Sequence, residues 1–331
     1  MGTAPREFYT ESEQKPDLQL LSSNFLRCTT CLSTIELRAY PPLLFGECPK
    51  CGRPNFIPYL VKDYWLYRPL GGGGMGSVYK ALHAETGVDY AVKILPRLKK
   101  EDQRLIEALI HEAEIGSTFG SHPHITKVTA YGRYNDEHYM VTEFVGGKRL
   151  DELIDSQIPI SQKYMLLWGM QVLSAEQHIY NCGYLYRDLK PQNIIIDGYG
   201  NVHLIDFGLC MTIESAANDR SETVEGSPQY MPPERLVGEA EGMYSEIYSL
   251  GMVIFHSLAR KPYYTATTAI DLARKHVTSL RLASVSSRLP NTIDTETTDV
   301  LDRMIRRNSK ERYQTYKDAL VAINRIYNRI S

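Results

Sequence analysis

The sequence predicts an α+β protein of two lobes, a small β-rich one followed by a larger helical one, with a short cysteine-rich module ahead of both. Three observations carry that expectation. Strand-like runs rich in aromatic and β-branched residues dominate from Asp63 to about Val145. Helix-patterned segments dominate the rest of the chain. Four of the six cysteines (Cys28, Cys31, Cys48 and Cys51) crowd together before either region. The expected divisions are a mobile tail over 1–24, the cysteine module over 25–60, and lobes over 61–145 and 146–331.

The bulk numbers agree with a globular chain. Its 331 residues favour two domains. They are 43% hydrophobic and 23% charged, as in ordinary soluble proteins. A formal net charge of -2 supplies no basic field to draw in nucleic acid or an anionic membrane. No apolar run is long enough to span a bilayer. The opening "MGTAPREFYTESEQKPDLQLL" has no apolar core of a secretory signal, and Pro5 and Arg6 argue against myristoylation at Gly2. The expected setting is therefore cytoplasmic and reducing, where thiols bind metal more often than they form disulfides.

Each element has its own local reason. The tail is polar, with Glu7, Glu11, Glu13 and Lys15 and little periodicity. The module has turns marked by Pro41-Pro42 and Gly46. Then "DYWLYRPL", "SVYKALHA" and "DYAVKIL" read as strands. In "EDQRLIEALIHEAEI", Leu105, Ile106, Leu109, Ile110 and Ala113 recur at helical spacing. Two further strands, "ITKVTAYGRY" and "HYMVTEF", close the first lobe. The clearest helices of the second are "SQKYMLLWGMQVLSAEQHIYNCG", "SEIYSLGMVIFHSLA" and "VLDRMIRR". No internal repeat or low-complexity segment interrupts them.

Chemistry concentrates in short motifs. "LGGGGMGSVY" (Leu70 to Tyr79) fits G-x-G-x-x-G at Gly71, Gly73 and Gly76, where glycines let backbone approach phosphate oxygens. Strand-like runs on both sides predict a hairpin, unlike the strand-to-helix turn of a dinucleotide fold. "YAVKIL" sets Lys93 in an apolar strand, a position that demands a partner. Glu112 on the following helix is the preferred one, with Glu107 and Glu114 as competitors. "YLYRDLKPQNIII" groups Asp188, Lys190 and Asn193 against three isoleucines, and "VHLIDFG" places Asp206 after an apolar strand. "MPPE" ends at Glu234.

Five motifs in this order resemble those of protein kinases, and the chain from about Asp63 onward is similar to the serine/threonine type, "GGGGMGSVYKA" being closest to bacterial members. The resemblance implies transfer of the γ-phosphate of ATP to protein hydroxyls with Mg²⁺ or Mn²⁺ as the metal. By the same resemblance Asp188 orients the substrate hydroxyl and takes its proton, Lys190 reaches the γ-phosphate, and Asn193 and Asp206 hold the metal. Lys93, paired with Glu112, holds the α- and β-phosphates. Leu70, Gly71, Gly73, Gly76, Val78 and Ala91 cover the nucleotide, and Ile195 meets adenine from the other side. Thr142 guards the back of that pocket, and Glu143 to Val145 present backbone groups. Arg187 is expected to pair with a phosphate on the activation segment, at Thr223 or next at Ser221. Glu234 and Arg312 match a buried ion pair. Departures are Tyr186 for a usual histidine, Pro232 for an alanine, Glu246 for an aspartate, and Gly116 for a bulky apolar residue. None removes a chemical group. The rivals are a pseudokinase scaffold that binds ATP without transfer, a small-molecule kinase of related fold, which would lack the activation segment and "PPE", and a zinc-ribbon nucleic-acid binder with an accessory kinase domain.

Cys28-x₂-Cys31 and Cys48-x₂-Cys51-Gly52 resemble a zinc ribbon. Each turn directs two sulfurs to one side, and two turns complete a tetrahedron, so structural Zn²⁺ is expected. A redox dithiol is the alternative. Arg27, Lys50 and Arg53 offset the thiolate charge, and the module's weak basic excess favours a protein partner over nucleic acid.

Overall fold

A computed structural model describes residues 15–73, 76–95, 101–156, 158–219, 225–278 and 285–330. These form two compact units, residues 11–120 with 127–144, and residues 121–126 with 145–331.

The smaller unit begins with helix α1 (Leu18–Ser22), capped by the Asp17 carboxylate, which accepts from the N–H groups of Gln19 and Leu20. The expected mobile tail is therefore structured from residue 15: Leu21 is buried, and Lys15 reaches Asp89 at 3.0 Å. Two short hairpins follow, β1 (Phe25–Arg27) with β2 (Thr34–Glu36) and β3 (Phe45–Glu47) with β4 (Pro54–Phe56). Next come β5 (Tyr59–Val61), β6 (Tyr64–Gly73), β7 (Gly76–His83) and β8 (Asp89–Ile94), then helix α2 (Gln103–Thr118), β9 (Val128–Tyr134) and β10 (Glu137–Glu143). Six strands join as one sheet in the order β5-β6-β7-β8-β10-β9, with every pairing antiparallel.

The cysteine module, a division of its own in the sequence reading, is continuous with this sheet. The residues after its last cysteine form β5, which pairs directly with β6 (Tyr59 opposite Leu66, Val61 opposite Tyr64). Leu21, Leu26, Ile35, Ile57, Cys28 and Cys48 then share one apolar cluster with Trp65 of β6 and Leu82 of β7. A segment this short has too little apolar surface for a core of its own, and it borrows the sheet's.

The larger unit contains β11 (Gly147–Arg149), α3 (Leu150–Asp155), α4 (Gln162–Asn181), β12 (Tyr184–Leu185), β13 (Ile194–Asp197), β14 (Val202–Leu204), β15 (Met211–Thr212), α5 (Ile213–Asn218), α6 (Pro233–Leu236), α7 (Met243–Ala259), α8 (Ala269–Thr278), α9 (Thr295–Met304) and α10 (Tyr316–Ile330). Helix α7 is apolar on nearly all sides, with Ile247, Leu250, Val253 and Ile254 fully buried, and is the axis of this core. Gly251 lets α9 come close, since a Cβ there would lie 2.7 Å from Ile305 Cγ2. Strands β11, β13 and β14 form a small sheet, and β12 pairs with β15.

The ion pair expected of Glu234 and Arg312 is formed, with Arg312 Nη1 and Nη2 donating to the two carboxylate oxygens at 2.7 and 2.9 Å. Both side chains are almost fully enclosed. Arg312→Ala leaves a buried carboxylate without its partner and is expected to cost about 3–5 kcal/mol of stability. Urea unfolding measures this, and a loss below about 1 kcal/mol, the worth of an exposed pair, contradicts a bracing role.

Candidate active site and cysteine cluster

Strand alternation explains how a lysine sits in an apolar strand. Val92 and Ile94 of β8 face the core with Ala81, Tyr139 and Val141, so Lys93 points the other way. Register places Val78 opposite Lys93, and Thr142 opposite Ala91, on that second face. Four of the residues expected to contact nucleotide thus share one side of the sheet. Lys93 Nζ meets Glu112 Oε2 at 2.5 Å. Glu112 falls on the buried stripe of α2 with Leu109, Ala113 and Gly116, whereas Glu107 and Glu114 lie on the exposed side, which decides among the three candidates.

The glycine-rich stretch is a hairpin, as the flanking strands predicted. Gly71 pairs with Val78 and Gly73 with Gly76, and Leu70 is exposed nearby. Gly76 has φ 156°, and a Cβ on it would meet the Ile94 carbonyl at 3.1 Å and the Lys93 stem at 3.3 Å. Glycine here keeps the lysine in place. At the end of β10, Glu143 donates its N–H to the Lys127 carbonyl, which anchors the strand before Val145.

In the larger unit the polar residues of "RDLKPQN" converge. Asp188 Oδ2 accepts from Lys190 Nζ at 2.6 Å and from Asn193 Nδ2 at 2.8 Å. Asn193 Nδ2 also donates to the Asp188 carbonyl at 3.0 Å. Burial raises the Asp188 carboxyl above the usual carboxylate range, and the Lys190 ammonium opposes that. Of the three isoleucines, Ile194 and Ile196 are buried and Ile195 faces the other side of β13. Asp206 has φ 68° and accepts from the Gly208 N–H at 3.2 Å. Tyr186, standing where a histidine is usual, donates its hydroxyl to the Ile205 carbonyl at 2.6 Å and packs edge-on against Phe207. It ties the loop holding Asp188 to the segment holding Asp206.

Arg187 is engaged by carboxylates of the chain itself. Its guanidinium donates to Glu241 and Asp219, and its backbone N–H to both oxygens of Glu246, at 3.2 and 3.1 Å. The longer side chain of Glu246 therefore still reaches the loop. Ser221 and Thr223 lie outside the described residues. Glu241, Asp219 and Arg235 were not legible as members of this group, because nothing in their spacing sets them apart from the chain's 39 acids and 37 bases.

The four cysteines meet as predicted. Their sulfurs all lie within 4.8 Å of one another, with Cys28–Cys51 at 3.7 Å and Cys31–Cys48 at 3.6 Å. Tetrahedral zinc with Zn–S near 2.3 Å requires sulfurs about 3.8 Å apart, so the donor set fits that ion. Both turns repeat one design. Cys28 and Cys48 receive N–H groups from Leu32 and Gly52, residues with φ 61° and 70°. Thr30 N–H and Asn55 Nδ2 point at Cys28 Sγ, and Ser33 Oγ lies 3.3 Å from Cys48 Sγ. The Ser33 hydroxyl is the largest influence that brings the Cys48 thiol down to about 6, whereas Cys51, despite the Arg53 N–H, is pushed up to about 12 by burial and the other three sulfurs.

Comparison with known proteins places the chain in a family. The family described as the protein kinase domain matches residues 64–322. The chain is similar to the serine/threonine-protein kinase PrkC of Bacillus subtilis, 34% identical over 65% of this chain and 33% of that protein. It is similar to the serine/threonine-protein kinase PknA of Mycobacterium tuberculosis, 29% identical over 78% of this chain and 61% of that protein. It thus spans about a third of the length of the first relative. Among the described residues, no helix is long and apolar enough to cross a membrane.

Proposed function

The chain belongs to the protein kinase domain family, and from that premise we propose that it transfers the γ-phosphate of Mg-ATP to serine or threonine hydroxyls of protein substrates. The observation that carries this reading is the Asp188–Lys190–Asn193 cluster, in which a buried carboxylate is held by two donors. Asp188 receives the substrate proton and aims the hydroxyl oxygen. Lys190 places an ammonium beside it, where charge develops on the transferred phosphoryl group. Lys93, fixed by Glu112, holds the phosphates of the nucleotide. Val78, Ala91 and Thr142, on one side of the sheet, cover one face of the base, and Glu143 offers it backbone groups. A scaffold that binds ATP without transfer is the weaker reading, because the sequence retains each residue to which a chemical role is assigned.

Asn193 and Asp206 suit Mg²⁺ or Mn²⁺. Asn193 turns its nitrogen to Asp188, which leaves the amide oxygen for a cation, and Asp206 adds a carboxylate, both hard donors. When bound, that ion offsets phosphate charge. Zn²⁺ in the cysteine cluster serves structure, since four protein ligands leave no open position. Exposed Leu32, Leu44 and Phe45 on that module suit a protein partner better than a nucleic-acid backbone. A reducing, cytoplasmic setting keeps the four thiols available.

The test is transfer of labelled γ-phosphate to a mixed serine, threonine and tyrosine peptide library. Phosphoserine and phosphothreonine products are expected, and Lys93→Met should lower the rate by about 10²–10³-fold. If wild type binds Mg-ATP yet labels nothing, the scaffold reading replaces this one.

A further inference from the structure

We infer that Glu241 and Asp219 are positioning residues that hold Arg187, and through it the catalytic loop, without a phosphate on the activation segment. This deepens the kinase reading and rests on it.

All three nitrogens of the Arg187 guanidinium have partners within the chain. Nε and Nη2 donate to Glu241 Oε1 at 3.0 and 2.7 Å, Nη2 to Asp219 Oδ2 at 2.8 Å, and Nη1 to Met211 Sδ at 3.1 Å. Its side chain is only 9% exposed, and that of Glu241 1%. Glu241 is shared: its other oxygen accepts from Arg235 Nε at 2.7 Å. Arg235 in turn donates Nη1 to the Arg187 carbonyl at 2.5 Å. With Glu246 on the backbone N–H, both main-chain polar groups of Arg187 are gripped by side chains. Those grips hold Arg187 at φ 67°, an uncommon conformation for a residue with a Cβ, and the next residue is Asp188. The line of force runs from Glu241 to both arginines, from them to the Arg187 backbone, and from there to the catalytic carboxylate.

Charge counting makes the arrangement self-sufficient. Arg187 and Arg235 supply two positive charges, which Glu241 and Asp219 already match, and Glu246 on the Arg187 N–H adds a third carboxyl. A segment phosphate brings about −1.5 to −2. To reach Arg187 it has to displace a carboxylate, and displacing Glu241 strands a buried acid beside Arg235 alone. Asp219 caps the C-terminal end of α5, inside the activation segment (209–229), and stands at the guanidinium that a phosphate is otherwise expected to reach.

Four full-length proteins decide this: wild type, Glu241→Gln, Glu241→Asp and Asp219→Asn, each purified after phosphatase treatment and again after autophosphorylation. Steady-state transfer to a peptide gives kcat and KM for ATP, and hydrogen–deuterium exchange reports order in residues 184–193. Dephosphorylated wild type should keep kcat within about threefold of the phosphorylated form, with slow exchange in the loop. Glu241→Gln should lose at least about tenfold in kcat, with KM for ATP changed by less than about threefold, and should exchange faster. Glu241→Asp should recover part of both. Asp219→Asn, at a more exposed site, should show the same pattern more weakly and stands in if Glu241→Gln does not fold. Dephosphorylated wild type that exchanges fast, or whose kcat rises more than about tenfold on phosphorylation, overturns the inference. So does a folded Glu241→Gln with unchanged exchange. If wild type orders the loop but transfers nothing, the kinase reading falls and the exchange result still decides this one.

Discussion

Asp188→Asn is expected to lower phosphoryl transfer by about 10²–10⁴-fold, the usual worth of a positioned general base, while Mg-ATP still binds. The replacement has nearly the same shape, and the Asp188 carbonyl still accepts from Asn193 Nδ2, so the loop keeps its backbone tie. What changes is the group facing Lys190 Nζ and Asn193 Nδ2. A carboxylate accepts from both. Both donors share Oδ2, so an amide oxygen in that position still accepts from them, but it is uncharged, and its NH₂ replaces the Oδ1 that would take the substrate proton. The proton acceptor is lost, and the lysine is freed from a strong partner. Calorimetric binding of Mg-ATP together with a single-turnover transfer assay separates these effects. Turnover near wild type removes Asp188 from its assigned role. Loss of both binding and transfer means that the substitution has disturbed the loop itself.

Removing metal from the cysteine cluster is expected to unsettle the smaller unit beyond the cysteine module. The sequence alone leads one to expect that the kinase lobes survive chelation, because they have a two-lobed core of their own. The shared cluster changes that expectation: Cys28 and Cys48 are packed with Ile35 and Ile57 on one side and with Trp65 and Leu82 on the other. Structural zinc contributes on the order of 10 kcal/mol to the folding of small modules, and four unbound thiols cannot hold two turns together at that strength. Once the turns open, Trp65 and Leu82 lose the atoms that cover them, and β6 and β7 carry the glycine-rich hairpin. The chain has two tryptophans, so Trp168→Phe leaves Trp65 as a sole reporter. Metal analysis should give one zinc per chain. Chelation should shift Trp65 emission to the red, lower the melting temperature and weaken nucleotide binding, and Cys28→Ser should reproduce all three. Unchanged Trp65 emission in metal-free protein would show that the sheet holds this core without the ion.

Much of the candidate site was legible because its chemistry is written in short motifs. The Lys93–Glu112 pair followed from a lysine in an apolar strand and a helix with one buried stripe. Burial then chose Glu112 over Glu107 and Glu114, as the helix period allows but the bare sequence does not decide. The C-x₂-C turns predicted four converging sulfurs, since each turn closes on itself through local hydrogen bonds. Tyr186 was visible only as a departure. Its role appears once its hydroxyl is seen on the Ile205 carbonyl, a contact across the fold.

What the sequence by itself determined is the order of the motifs, the alternation of faces in β8, the convergence of the four cysteine sulfurs and the identity of the polar groups gathered around Asp188. All of these depend on neighbours within a turn or a strand, where backbone geometry leaves few choices. Only the tertiary structure decided that the cysteine module and the six-stranded sheet share one core, and that Arg187 rests on Glu241 and Asp219. Apolar side chains at Leu26 or Ile57 want burial but do not specify against what, because the hydrophobic effect has no direction. A guanidinium likewise attracts any carboxylate, and packing alone selects which of 39 acids comes within 3 Å of it.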